Sequence, residues 1–514
     1  MTFTPTTTSK VSTLNSTSAT LGVSGEFLGT AEDVAKYSSI AITIKANVSS
    51  AALGLKAEFS TDSTNWDAVE AFTYSDTKSF FCKNVKVKAK YFRLRYTNGT
   101  SSQSTFRLQT RFIATPAEDV KDKPITTANI DAFARLRTSR PYTSISRSQI
   151  LGKNLYSIYE GTSGSVTSTY NAASASVTMA CTGSGSVIRR NRSRGIYQPG
   201  KSLLVILTGV LDLGTNASTV TTKIGYYDDD TGYYFQHVNG TVSVVERTSV
   251  SGSLVETVVG QSAWNVNKVD GTSNKNQTLD PTKAVIYWFN LEWLGVGFVD
   301  AGVVINGELI KVHRFTHSNL LTTPYMRTAS LPPTYELVST GGSGSMSQIC
   351  YSVISEGGYR PTGPVFSANT GTTAVTINTI EPIITIRLKT GSIANVVPLS
   401  VSVVSTSASN TLIELYRFVD TAASSVLNNT TFISANAESE VEYNTAATTI
   451  TTTGGLLLSS AYSSNNQDAI SIGKQDDNGT LSISNGVSDL LVVAITTVGG
   501  NESFVASITW REVI

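Results

Sequence analysis

Between Ala284 and His317 apolar residues crowd together more densely than elsewhere in the chain, and they occupy two faces at once. In an extended chain Val285, Tyr287, Phe289, Leu291 and Trp293 point to one side, and Ile286, Trp288, Asn290 and Glu292 to the other. A strand apolar on both faces belongs inside a sheet that is covered on both sides. Gly295, Gly297 and Gly302 break the run, and Asn306-Gly307 separates VVI from ELIKV. That pair predicts a two-residue hairpin turn, where both residues must accept positive φ. The same glycines, with many β-branched neighbours, disfavour a buried helix. Trp293 shares a face with Phe289 and Leu291 and is expected in the core.

The rest of the chain repeats this strand rhythm without a helix-period stretch of useful length. Residues 1–24 are rich in Thr and Ser and read as a flexible or partner-bound arm. Residues 25–115 hold SIAITIKA, LGLKAEFS, KNVKVKAKYFRLRYT and STFRLQTRFIA, spaced as in a small β-sandwich. Residues 116–150, punctuated by Pro116, Pro124 and Pro141, read as an ordered connector. Residues 151–360 form a larger central β-sandwich. Within it IGYYDDDTGYYFQHVNGTVSVVERT predicts a three-stranded meander, turning at Asp230-Thr231-Gly232 and at Asn239-Gly240. Residues 361–514 form a C-terminal β-sandwich ending in ESFVASITWREV, a strand expected to pair into its sheet. The predicted fold is all-β, with three tandem β-sandwich or jelly-roll-like modules joined by short ordered linkers.

Composition narrows the role. The 514 residues suit about three domains. Lys and Arg total 39 against 38 Asp and Glu, and only 15% of residues are charged, where soluble domains carry about 25%. A net charge of +1 argues against bulk attraction to nucleic acid or an anionic membrane. Disorder is excluded by a hydrophobic content of 40% arranged in strand-length runs. The start lacks the pattern of a signal peptide, and LLVIL and LLVVAI are too short to cross a bilayer, so no membrane insertion is expected. Cys82, Cys181 and Cys350 are odd in number and far apart, which indicates buried free thiols rather than disulfides or a zinc site.

Candidate chemistry is sparse. His237, His313 and His317 are the only histidines, and the spacing of the last two at a strand end sets up no chelate. Asp228-Asp229-Asp230 lacks calcium-loop spacing and reads as a turn with solvated carboxylates. Arg189, Arg190, Arg192 and Arg194 make the one basic cluster, read as a loop that contacts an acidic neighbouring subunit. Arg93, Arg95, Arg107 and Arg111 alternate with aromatics, a pattern that could stack single-stranded nucleic acid but more often marks an outward face of arginine stems. Glu292 and Asp300 are the acids to examine for a glycosidase pair. Tyr226, Tyr227, Tyr233, Tyr234 and Trp264 are the aromatics to examine for a sugar platform, where exposed rings would favour binding and buried rings a core. No catalytic, metal or cofactor-binding residue is assigned from these patterns, and no cofactor is expected.

DAFARLRTSRP, VERTSVSG, QSAWNVNKVDG, the LDPTKAV…FTHSN segment, YMRTASLPPTYEL and ICYSVISEGGY together resemble a recurrent set in virion structural proteins. These are the tail, fibre and capsid-associated proteins of tailed bacteriophages, and the virion proteins of large DNA viruses of algae and protists. FSTDSTNWD and YFRLRYTNGT resemble the small β-sandwich that precedes the connector in that group. The resemblance covers roughly residues 25 to 360 and implies a non-enzymatic part of the virion, made in the host cytoplasm. It implies a homo-oligomer, with a trimer favoured, whose partners are other virion proteins and a host surface glycan. The alternative is a glycan-binding or glycan-degrading β-sandwich protein.

Overall fold

In the computed structural model the chain is described over residues 9–513, apart from 78–80, 114–139, 215, 273–276, 361, 373–374, 378, 406–409, 464–467, 472–480, 482, 485–486 and 499–501. The chain is nearly all β and divides into two compact units, Met1–Ala128 and Asn129–Ile514. Every strand pairing among the described residues is antiparallel. No described helix is long and apolar enough to cross a membrane.

The first unit is a two-sheet sandwich. One sheet orders Ser9–Thr17, Phe106–Ile113, Ser39–Ala46 and Phe81–Lys86. The other orders Glu26–Leu28, Tyr91–Asn98, Ser50–Ser60 and Ala68–Phe72, with Glu32–Asp33 also against Tyr91–Asn98. Alternation places Ile40, Ile42 and Ile44 in one core with Phe92, Leu94 and Tyr96. The arm expected over residues 1–24 is corrected here: its first eight residues lie outside the described part, but Ser9–Thr17 is a strand paired with Phe106–Ile113. Its pattern misled because the polar residues turn inward. Ser12 and Asn15 are buried and hydrogen-bond Glu32, while Val11 and Leu14 face outward. Burial alone would raise the Glu32 carboxyl, yet hydrogen bonds from Ser12, Asn15 and Lys10 hold it below its ordinary value. The connector expected over 116–150 falls largely outside the described residues. Its end, Tyr142–Ser148, is a strand paired with Gly344–Ser355.

The second unit carries two main cores. Around the first, described strands form a sheet of 13. Its path runs from Val255–Gly260 through Thr241–Thr248, Gly232–Val238 and Val220–Tyr227 to Pro333–Ser339 and Ser176–Asn191. It continues through Gly344–Ser355, Leu203–Val210, Val285–Leu291 and Phe298–Ile305 to Glu308–Thr316. Strands far apart on this path nevertheless touch: Phe235 and Phe289 have ring centroids 5.3 Å apart, and Tyr233 and Phe315 are 5.2 Å apart. The sheet therefore curls around its own core, so its two layers are parts of one continuous sheet. The expected meander is present, and Asn239 and Gly240 take positive φ at its second turn. The expected core hairpin turns at Asn306 and Gly307, with φ of 54° and 76°. Val285–Leu291 is an interior strand with Tyr287, Phe289 and Leu291 fully buried. Trp293 corrects one expectation. The strand ends at Leu291, and Trp293 sits in the following loop, half-buried and edge-on to Tyr197 at 5.5 Å.

The second main core lies between two sheets. One contains Val365–Asn369, Glu502–Val513, Asn395–Ser405 and Asp468–Ser471, and the other contains Val441–Asn444, Glu381–Leu388, Leu490–Val498, Asn410–Phe418 and Leu456–Ser463. Both sheets feed one cluster through Phe504, Ile508 and Trp510 on one side and Ile386, Leu415 and Val493 on the other. The last strand pairs into its sheet against Asn395–Ser405, as expected.

Candidate functional site

The arginine run leaves the end of Ser176–Asn191, the longest described strand, which is held by Ile158–Asn171 on one side. On its other side lie Pro333–Ser339 and Gly344–Ser355, at opposite ends. Successive side chains of a strand point to opposite faces, and the chain then bends, so the four arginines diverge. Each meets an acid from its own chain. This corrects the expectation that the cluster faces a neighbouring subunit.

Arg189 is fully buried opposite Glu160, which accepts from Nη1, while Nε donates to Gln348 at 2.5 Å and Nη2 to the Lys153 carbonyl at 2.8 Å. Burial pushes its guanidinium below the ordinary value, with Glu160 opposing. Arg190 donates to Asp229 at 2.8 Å, and this hydrogen bond holds the Asp229 carboxyl below the usual range. Arg192 reaches into the C-terminal half and grips Asp420, lying 3.8 Å from Asp489. Arg194 donates to Asp228 at 2.7 Å, and its backbone exchanges two hydrogen bonds with Asn395.

The aspartate triple is the other wall. Asp228 Oδ1 accepts from the backbone N–H groups of Asp230 and Thr231, which fixes the turn. The turn reading holds, but Asp228 is buried against Arg194 rather than solvated, and Asp229 is solvated while paired to Arg190. Asp230 lies 3.8 Å from Arg327, with both side chains more than half exposed. Between these groups, Tyr159 and the segment Gly391–Ile393 lies a cleft of about 370 Å³ at the seam of the two cores. Burial raises the Tyr159 hydroxyl above its ordinary value.

The other candidates resolve differently. Tyr226, Tyr227, Tyr233 and Tyr234 are all 0% exposed and Trp264 is 3% exposed, so these rings are core and present no sugar platform. Burial raises the phenols of Tyr227 and Tyr233 well above the ordinary value. Asp300 is held by Arg314 at 2.6 and 2.7 Å and by Lys311 at 2.7 Å. Glu292 is buried just past the strand end, where its N–H donates to Phe298 O at 3.1 Å. His317 stacks on Tyr325 at 3.7 Å, with Nδ1 at 2.7 Å from Gly297 O and Nε2 at 2.7 Å from Glu246. Among the described residues no group of three or more His, Cys, Asp or Glu is placed to hold a metal ion.

In the first unit Arg93 and Arg95 bind Glu58 on one sheet, and Arg93 lies over Trp66 at 4.1 Å. Arg107 and Arg111 stand on the other sheet, and Tyr96, Phe106 and Phe112 among the alternating aromatics point inward. The four arginines therefore make no common face for nucleic acid. Of the cysteines only Cys181 is buried; Cys350 is intermediate and Cys82 exposed, because Cys82 occupies an outward position of Phe81–Lys86.

Residues 5–112 match the family described as uncharacterised protein YqxG N-terminal domain. No curated protein matches the chain. Among solved structures, PBSX exported protein XepA is similar at 12% identity over 68% of this chain and 86% of that chain, with a TM-score of 0.19. The receptor binding domain of botulinum neurotoxin D is similar at 13% identity over 46% of this chain and 58% of its own, with a TM-score of 0.27. A prokaryotic β-1,3-1,4-glucanase (lichenase) derived from a mouse hindgut metagenome is similar at 9% identity over 42% of this chain and 99% of that chain, with a TM-score of 0.24. Scores this low establish no shared topology over the chain.

Proposed function

We propose that this chain is a self-associating structural component of a phage-type virus particle, as a fibre, spike or tail- or capsid-attached protein, and that it is not an enzyme. The observation that carries the reading is the open edge of the large sheet. Among the described residues Val255–Gly260 pairs with no strand but Thr241–Thr248, and Leu254, Val255 and Val258 stand about half exposed along its outer edge. Lone soluble proteins blunt such edges with charge or proline. Here the one charged residue of the strand, Glu256, is taken up by Arg247 and Tyr234 of the same chain. The edge thus offers hydrogen bonds and apolar area without a repelling charge. A second copy is the fitting occupant, since a net charge of +1 gives copies little mutual repulsion.

Closed assemblies remove edges, and a trimer is the form fibre-like viral proteins commonly take. Other virion proteins would be its further partners. The resemblance of segments from 25 to 360 to virion proteins supports the same reading. The test has two parts: light scattering on the purified chain, and an antibody to the chain applied to intact particles. A multimer by mass and labelled particles are expected. A strict monomer absent from particles would overturn the reading.

A further inference from the structure

The seam cleft has features that assembly does not use. Of the groups around it, Arg192 and Arg417 are buried against Asp420 and Asp489, and Arg194 is spent on Asp228 and the Ser330 carbonyl. Four others keep capacity. Asp229 is 84% exposed with one arginine partner, Asp230 and Arg327 are more than half exposed and 3.8 Å apart, and Arg190, 19% exposed, gives each terminal nitrogen one bond to Asp229 and so keeps a further N–H on each.

The charges around the cleft decide what it would take. Among the described residues, each of the four arginines lining the cleft faces a carboxylate, Arg190 with Asp229, Arg192 with Asp420, Arg194 with Asp228 and Arg327 with Asp230, so the lining presents no unpaired charge of either sign. A phosphate site needs surplus positive charge, and a divalent cation site needs surplus carboxylate with the arginines elsewhere. A balanced site with both donors and acceptors to spare matches a neutral ligand dense in groups that donate and accept. Saccharide hydroxyls do both. The volume, about 370 Å³, lies in the usual small-molecule range of roughly 300–1,000 Å³.

We propose that the seam cleft is a neutral-saccharide site in which Asp229 and Asp230 accept from sugar hydroxyls and Arg190 and Arg327 donate to them. Only the source of the saccharide, a host cell surface, rests on the assembly reading above. The cleft also straddles the seam, so bound sugar would bridge Asp229 and Asp230 on one side and the Gly391–Ile393 backbone on the other.

The full chain is applied to a glycan microarray spanning bacterial, plant and animal saccharides, and hits are titrated by calorimetry. Arg327→Ala and Asp230→Asn are the variants, because both side chains are exposed and neither change threatens folding; unchanged melting temperatures confirm this. Retention of a neutral saccharide is expected, with affinity falling about tenfold or more in each variant, as for loss of a hydrogen bond to a charged group. Retention of no saccharide, affinity undiminished in both variants, or binding of inorganic phosphate or calcium alone that the same variants abolish would each overturn the proposal. Incorporation of the variants into particles is scored separately, so failure of the sugar site leaves the assembly reading intact, and failure of assembly leaves the sugar site intact.

Discussion

Arg192 grips Asp420 with both terminal guanidinium nitrogens, Nη1 at 2.9 Å from Oδ1 and Nη2 on Oδ2, while its Nε donates to the Leu155 carbonyl at 3.0 Å. One side chain thereby ties the curled central sheet to the C-terminal sandwich. Its guanidinium is almost wholly buried, so it depends on those partners for every polar contact they supply.

Replacing Arg192 with Ala is expected to destabilise the second unit. Removing one member of a fully buried pair costs about 3–5 kcal/mol. The loss here should be nearer 1–3 kcal/mol, because the Asp420 side chain is 40% exposed and can regain water, and Asp489 keeps Arg417. Scanning calorimetry checks this; an unchanged endotherm would show that the seam is held by other contacts.

Gly302 is expected to tolerate no side chain. It lies opposite Trp288 in the ladder, and a Cβ there would collide with the indole and with the Ile310 carbonyl. Gly302→Ala should cost about 1–3 kcal/mol as an overpacked position. The control is Gly307→Ala, where space is open and the cost comes only from a φ of 76°, about 1 kcal/mol. Denaturant melts that rank the two the other way would refute the packing account.

Two neighbouring aromatics should differ. Phe289 is fully buried, so Phe289→Ala should cost about 3–5 kcal/mol. Trp293 lies past the strand end with only part of its surface covered, so Trp293→Ala should cost less, about 1–3 kcal/mol. Equal losses would place Trp293 in the core after all.

Stability should fall on mild acidification. Burial holds the imidazoles of His237 and His313 below their ordinary value, against weaker opposing effects of Asp212 and Glu246. Below the unfolded value, about 6.5, the unfolded chain binds protons that the folded chain refuses. Their stabilisation is therefore complete above about pH 7 and is lost as pH falls toward 5, by up to about 1.4 kcal/mol per pH unit for each group. Melting temperatures at pH 8, 7, 6 and 5 test this, and a profile flat between 7 and 5 would contradict it.

Much of the architecture was legible along the chain because burial on a strand face is a local pattern. SIAITIKA, VIYWFNL and ESFVASITWREV alternate visibly, and Asn306-Gly307 announces its own turn. Where a strand buries polar residues, that signal vanishes: Ser9–Thr17 hides Ser12 and Asn15 around Glu32, and Ser176–Asn191 reads as a Ser/Gly-rich stretch although it pairs with three other strands of the sheet. The site was visible only by halves. RRNRSR and DDD are conspicuous in one dimension, but their mutual pairing, and the role of Asp420 and Asp489, arise because the curl of the sheet and the docking of the last sandwich bring those segments to one place. Charges recognise partners through space, at distances the chain order does not encode. Likewise the tyrosines at 226, 227, 233 and 234 could be placed on strands from sequence, while whether their rings met water or core depended on which strands close over them.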